Sequence, residues 1–116
     1  MSAGSYDIYI EQGATLSLPI VWKDSSGTVI NITGYTARMQ VRQSVNSPTV
    51  LLSATTANGK LVIDGAAGKV TITLSASDTA SITWLTGVYD LELVSGGGEV
   101  NRVLEGRLLV NRGVTY

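Results

Sequence analysis

The chain has 116 residues, the size of one domain, and it contains neither cysteine nor histidine. Disulfide bonds, thiol nucleophiles, histidine-dependent triads and Cys/His zinc sites are therefore excluded. Only 15% of the residues are charged, eight basic against nine acidic, where about 25% is usual. Such depletion is typical of subunits whose surface is covered by neighbours, and also of β-rich domains that use Ser and Thr in place of Lys and Glu.

The N-terminal sequence and the charge balance limit the partners that we expect. The first residues lack a basic segment followed by an apolar one, so we expect no signal peptide. No apolar run approaches the roughly 18 residues needed to span a bilayer, so we expect no membrane partner. The net charge of −1 provides no basic field to attract phosphates, so we expect no nucleic-acid partner.

Apolar and polar residues alternate with a period of two along most of the chain, which predicts β-strands. Pro19 falls on the outward side of the second strand, where its missing N–H favours a sheet edge. Asn58-Gly59 separates two β-rich runs and predicts a hairpin, which the next strand extends into a three-stranded meander. The predicted strands cover residues 6–11, 15–22, 28–32, 35–42, 50–55, 60–64, 70–74, 85–93 and 100–110.

The remaining segments connect these strands or flank them. Ser75 and Asp78 have the spacing of a capping box, which predicts one short helical turn within residues 76–82. Residues 1–5 are expected to form an N-terminal arm and residues 111–116 a C-terminal tail of a single domain that spans 1–116. Eight or nine short strands in this length predict an all-β fold, an immunoglobulin-like antiparallel β-sandwich, with a closed barrel as the alternative.

A few aromatic and glycine residues are candidates for structural or binding roles. Gly87 and Tyr89 resemble a tyrosine corner, in which the Tyr hydroxyl bonds to the backbone a few residues upstream. Trp22 is in phase with the inward residues of its strand and is expected in the core. Trp84 follows the helical turn and is a candidate contact for a glycan or a partner protein. Further candidate contact residues are Gly97, in the Gly96-Gly97-Gly98 tip between the last two strands, and Tyr116 in the tail.

The acidic residues do not form a recognisable catalytic or metal-binding set. Asp90 and Glu92 share the outward face of one strand, with arginines expected on the neighbouring strands. Outward charges of both signs are expected to pair across the sheet rather than to act as the two carboxyl groups of a glycosidase. We therefore expect a protein that is not an enzyme and that has no catalytic residues, bound metal or cofactor.

Several segments resemble a known family in their order along the chain. The segments are DIYIEQGATL at 7–16, VWKD at 21–24, ITGYTARMQVR at 32–42, LSASDT at 74–79 and GVYDLEL at 87–93. Together they resemble small β-sandwich proteins of tailed phages and prophages, related to the N-terminal domain of the baseplate upper protein. The resemblance implies a structural protein of the virion, made in the cytoplasm of the host bacterium. Its place would be the tail, the baseplate, the collar or the decorated capsid.

Two functions from different classes follow from these observations. The first is a non-enzymatic virion subunit that binds other virion proteins and copies of itself. The second is a carbohydrate-binding or adhesion module that uses exposed aromatic side chains such as Trp84, with Tyr6, Tyr9 or Tyr116 as the other members of the site.

Overall fold

The computed structural model describes residues 4–113, where alternating sequence produces β-strands whose inward side chains share one hydrophobic core. Residues 1–3 and 114–116, which include part of the predicted arm and tail, lie outside the described residues. The elements are β1 Gly4–Ser5, β2 Ile8–Glu11, β3 Leu16–Val21, β4 Thr36–Arg42, β5 Val50–Thr55, β6 Leu61–Asp64, β7 Lys69–Leu74, α1 Ala76–Ala80, β8 Thr86–Val94 and β9 Val100–Asn111.

The strands form two sheets in an immunoglobulin-like order. The large sheet has the order β1-β9-β8-β4-β5, with β2 also paired to β9, and the small sheet has the order β3-β7-β6. If β2 is counted as the first strand and β5 is left out, β3, β7 and β6 are the second, fifth and fourth strands of the sandwich. The third, sixth and seventh strands then lie in the large sheet, which is the immunoglobulin arrangement. The predicted all-β sandwich is therefore confirmed. It is not wholly antiparallel, because β1 and β2 run parallel to β9.

The core lies between the two sheets and follows the alternation of the sequence. Ala37, Met39 and Val41 of β4 are buried, as are the inward residues of β7 and β8. Burying one large aliphatic side chain contributes about 1.5–3 kcal/mol, so these inward faces dominate the stability of the sandwich. Trp22 is partly buried against the core, and its ring meets that of Tyr35 edge-on at 6.4 Å.

The hairpin and meander predicted around Asn58 and Gly59 are wrong. The turn itself forms, with Gly59 at a φ of 79°, but β5 pairs with β4 while β6 pairs with β7, so the chain crosses between the sheets here. An Asn-Gly turn and two alternating runs specify a change of direction but not the sheet to which each run belongs. Ala54 and Leu61 reach the same core from opposite sheets, which a turn within one sheet would not allow.

The predicted strand at 28–32 does not form as a regular strand. Val29 makes an isolated bridge with Lys23, and the Ile30 N–H donates to the Trp22 carbonyl at 3.0 Å. The Ile32 N–H then donates to the Gly65 carbonyl at 2.9 Å, so the segment exchanges one neighbour for another within three residues. Two short contacts with different segments of the chain satisfy the backbone without a continuous ladder.

The local signals around the other elements agree with the structure. Ser75 and Asp78 form the predicted capping box, since each backbone N–H donates to the other side chain at 3.0 Å. The helix that follows is shorter than 76–82 and ends at Ala80. Pro19 lies in β3, an edge strand, as its missing N–H predicts. Gly4 and Ser5, expected in the arm, form a short strand instead, and no helix within residues 4–113 is long and apolar enough to cross a membrane.

Candidate interaction surfaces

Tyr89 fastens the N-terminal segment to the large sheet. Its hydroxyl donates to the Tyr6 carbonyl at 2.5 Å, so the acceptor lies 83 residues upstream rather than a few, as the predicted corner required. Burial, and next the carboxylate of Asp7, raise the pKa of Tyr89 above its usual value, which keeps the hydroxyl protonated as a donor.

Gly106 makes this contact sterically possible. It is the cross-strand partner of Tyr89 in β9, and a Cβ atom at this position would overlap the Tyr6 carbonyl oxygen. The neighbouring residues complete the attachment, because the Arg107 N–H donates to Oδ1 of Asp7 at 3.1 Å. A residue without a side chain therefore lets the N-terminal segment pass close to β9 between β1 and β2.

The end of the same segment is held by α1 and the residues after it. The side-chain amide of Gln12 donates to the Ile82 carbonyl at 2.9 Å, and the Gly13 N–H donates to Oγ1 of Thr79 at 3.0 Å. Thr79 is fully buried, and its hydroxyl also donates to the Ala14 carbonyl at 2.8 Å. The segment is thus fixed at both ends, and the edge of β9 is filled.

The structure separates the predicted contact residues. Trp84 is partly buried and packs against the core, whereas Gly97 is exposed in the turn between β8 and β9. They lie beyond opposite ends of β8, whose nine residues extend about 30 Å, so they cannot share one binding site. Tyr116 lies outside the described residues. Gly87 is buried where a Cβ would lie 2.7 Å from Cγ1 of Val41, which gives it a packing role.

One group of apolar residues does gather at the end of the large sheet where β8 begins. Tyr9 is 64% exposed and lies in the same cross-strand row as Leu109 and Thr86. Leu85, which is 55% exposed, and Trp84 immediately precede that row. This end cluster brings an exposed Tyr to the same end of the sheet as Trp84, a proximity that the sequence could not reveal.

Charged residues concentrate on the outward face of the large sheet. Nε of Arg38 contacts Oε1 of Glu92 at 2.8 Å, and Nε of Arg102 contacts Oδ2 of Asp90 at 3.3 Å, which confirms the predicted pairing across the sheet. Burial raises the pKa of Asp90, although Arg102 opposes this effect. Asp90 and Arg102 border an open cleft of about 510 Å³. The charged residues of this face are Arg38, Arg42, Asp90, Glu92, Arg102, Glu105 and Arg107.

The outward face of the small sheet is uncharged at its centre. Its middle row is Pro19, Thr71 and Val62, from β3, β7 and β6 in turn. One flanking row contains Ser17 and Thr73, and the other contains Val21, which is 44% exposed, followed by Lys69 and Asp64. We call the uncharged residues of this surface the neutral face. The neutral face consists of Ser17, Pro19, Val21, Val62, Thr71 and Thr73.

The edges of the two sheets are protected against pairing with another strand. On the outer edge of β5, the Asn58 side chain donates to the Ser53 carbonyl and accepts from the Thr55 N–H, both at 3.0 Å. A register shift opposite Val41 and Arg42 disturbs the other end of β5. Pro19 interrupts the donors of β3, and β6 has only four residues. Such features prevent edge-to-edge association, so contacts with other proteins would use the faces.

No family model matches the chain, and no curated protein matches its sequence. Within residues 4–113, no three acidic side chains converge as a group that could hold a metal ion.

Proposed function

We propose that this protein is a structural subunit of a phage virion that works through contacts with other proteins. The observation that carries the proposal is the low content of charged residues, 15% of the chain against about 25% in an ordinary soluble domain. Seven of the chain's seventeen charged residues lie on the outward face of the large sheet, whereas the small sheet has an uncharged centre bordered by Lys69 and Asp64. The neutral face is therefore the surface that we expect a neighbouring subunit to cover.

The chemistry of the neutral face is that of an interface rather than of a catalytic site. Val21 and Val62 expose 44% and 53% of their surface, beside hydroxyl groups that can bond to a partner. Depletion of charged residues is the main compositional feature of the centre of protein interfaces. The protected sheet edges agree with this interpretation, because a subunit that binds its partners through its faces must avoid uncontrolled strand pairing at its edges.

The resemblance to small tailed-phage proteins indicates the kind of assembly to which the subunit would belong. It supports a virion component of the tail, baseplate, collar or capsid surface, made in the host cytoplasm. Its partners are then other virion proteins. An immunoglobulin-like sandwich suits this work, because its two broad faces present rigid surfaces without any need for catalytic loops.

Mass spectrometry of purified particles tests the proposal. Cultures of the bacterium that carries the gene are induced for phage production, and their lysates are fractionated on a density gradient. We expect the chain in the particle fraction at a fixed ratio to the major virion proteins, and we expect it to resist a high-salt wash. Its absence from particles, with the chain present in the soluble fraction, would overturn the proposal.

The end cluster keeps the second function open to test. Tyr9 and Leu85 expose apolar surface at one end of the large sheet, where the partly buried Trp84 also lies, and exposed aromatic surface is what stacking on a sugar ring needs. A carbohydrate-binding module would bind a glycan array, and this binding would disappear in both Trp84→Ala and Tyr9→Ala. Val100→Ala is the matched control, because Val100 is 46% exposed and pairs with Val94 at the opposite end of β8. The absence of binding to any glycan on the array would reject this function.

A further inference from the structure

We infer that the outward face of the large sheet holds a binding site for a neutral pyranose sugar, formed by Tyr9, Glu11 and Asn111 where β2 and β9 end. The inference deepens the carbohydrate-binding alternative and rests on it rather than on the virion assignment. It adds the polar members of the site and the class of sugar that they would bind.

The pairing of β2 with β9 places two rows of outward side chains next to each other. Tyr9 lies opposite Leu109, and Glu11 lies opposite Asn111. Successive rows on one face of a strand are about 7 Å apart, which suits a ligand the size of one sugar ring that touches both rows. Thr86, which lies opposite Leu109 on β8, adds an exposed hydroxyl group to the first row.

Tyr9 provides the apolar part of the site. Its side chain is 64% exposed, although Ile8 and Ile10 on either side of it are fully buried. One face of a pyranose ring carries mainly C–H bonds, and such a face packs well against an exposed aromatic ring. Trp84 is partly buried against the core at the same end of the sheet, so Tyr9 is the ring that a sugar can reach.

Glu11 and Asn111 provide hydrogen-bonding groups that are already oriented. Nδ2 of Asn111 donates to Oε2 of Glu11 at 2.9 Å, and both side chains are exposed. This bond uses one N–H of the amide, so its second N–H, its oxygen and Oε1 of Glu11 can bond to a ligand. A sugar hydroxyl both donates and accepts, so two adjacent hydroxyl groups fit the carboxylate and the amide together. Because each side chain holds the other in place, less conformational freedom is lost on binding.

The charges around the site balance one another. The acidic residues Asp7 and Glu11 lie on or next to β2, and the basic residues Arg107 and Arg112 lie on or next to β9. Oδ1 of Asp7 also accepts from the Arg107 N–H at 3.1 Å. A surface without net charge has little electrostatic preference for an anion or a cation. We therefore assign the site to a neutral sugar rather than to a uronic acid or an amino sugar.

The position of the site on a sheet face limits its affinity. The strands cover only one side of the sugar, and one aromatic ring and a few hydrogen bonds hold it. We expect a Kd of about 1–10 mM for a single sugar unit. Many copies of the chain on one particle would strengthen the attachment to a surface that carries many copies of the sugar.

Two-dimensional amide NMR of the whole chain tests the site with four neutral sugars, each added up to about 100 mM. The sugars are the methyl pyranosides of glucose, galactose and mannose, together with N-acetylglucosamine. We expect at least one of them to shift the amides of residues 9–11, 86 and 109–111, while those of residues 62–64 on the small sheet stay unmoved. The dependence of the shifts on sugar concentration gives the Kd.

Four substitutions separate the contributions to binding. Tyr9→Ala should weaken binding at least about tenfold, whereas Tyr9→Phe keeps the ring and should stay within about threefold of the natural Kd. Glu11→Ala and Asn111→Ala should each weaken binding at least about threefold, because each removes one half of the polar pair. Val100→Ala, at the opposite end of β8, is the control and should leave the Kd unchanged.

Several results would overturn the inference. They are the absence of shifts with all four sugars, shifts confined to another surface, and binding that survives Tyr9→Ala in full. Glucuronic acid or glucosamine that binds more than about tenfold tighter than the neutral sugars would also overturn it. The amide spectrum of each variant shows directly whether it is folded. If the chain is present in particles but binds no sugar, the virion assignment stands and this inference fails; if it binds a sugar but is absent from particles, the reverse holds.

Discussion

Replacing Gly106 with alanine tests how the N-terminal segment is held. The new Cβ would overlap the Tyr6 carbonyl oxygen, so the segment between β1 and β2 has to move away from β9. The movement breaks the hydrogen bond from Tyr89 to Tyr6, which leaves a buried hydroxyl without its acceptor at a cost of about 1–3 kcal/mol. Alanine in a strand recovers at most about 1 kcal/mol relative to glycine.

The movement also affects the residues that β2 buries. Ile8 and Ile10 are at most 1% exposed. Full exposure of one such side chain to water costs up to roughly 3 kcal/mol, so partial exposure of either costs a further 1–2 kcal/mol or so. We therefore expect Gly106→Ala to lower the free energy of unfolding by about 2–4 kcal/mol, measured by urea denaturation. Hydrogen exchange of the Ile8 and Ile10 amides should accelerate more than that of β4.

Gly97→Ala is the matched control, because its added Cβ meets nothing closer than 3.9 Å and Gly97 has no positive φ. Its free energy of unfolding should stay within about 0.5 kcal/mol of the natural value. The reasoning is refuted if Gly106→Ala is as stable as Gly97→Ala, or if it is destabilised while the Ile8 and Ile10 amides keep their protection.

Three further substitutions test other contacts. Tyr89→Phe should lower the free energy of unfolding by about 1–2 kcal/mol in the natural chain but by much less in Gly106→Ala, and equal costs in both backgrounds would show that the two sites are not coupled. Asn58→Ala should cost about 1–2 kcal/mol and increase light scattering on concentration, because it uncovers backbone groups on the edge of β5, whereas exposed Asn46→Ala should do neither. The Ser75 amide holds the pKa of Asp78 below its usual 3.8, so the stabilisation by this carboxylate is present above pH 4 and is lost as the pH falls through the lowered pKa. The difference in Tm between the natural chain and Asp78→Asn should therefore close in acid, and a difference that persists at pH 2 would contradict the capping argument.

Local patterns predicted most of the strands because each depends on a few adjacent residues. Alternation identified the inward residues of β4, β7 and β8, and the spacing of Ser75 and Asp78 identified the start of the helix. The failures are all long-range. The Asn58 turn does not encode which sheet receives the next strand, and the Tyr89 motif does not encode an acceptor in the N-terminal segment.

The neutral face could be predicted from the sequence only in part. The outward residues of β3 and β7, Pro19 and Thr71 among them, show in the sequence that two strands lack outward charge near their centres. Only the pairing of β3, β7 and β6 puts them side by side with Val62 as one surface.

Incorporation of Val62→Lys into particles tests most directly whether the neutral face is covered by protein. Val62 is 53% exposed in the middle row of that face, so lysine there leaves the fold intact and puts a charge into the contact. When variants are supplied to a phage that lacks the gene, we predict that Val62→Lys is lost from purified particles, whereas Val45→Lys is retained at the natural ratio. Normal incorporation of Val62→Lys would contradict the account.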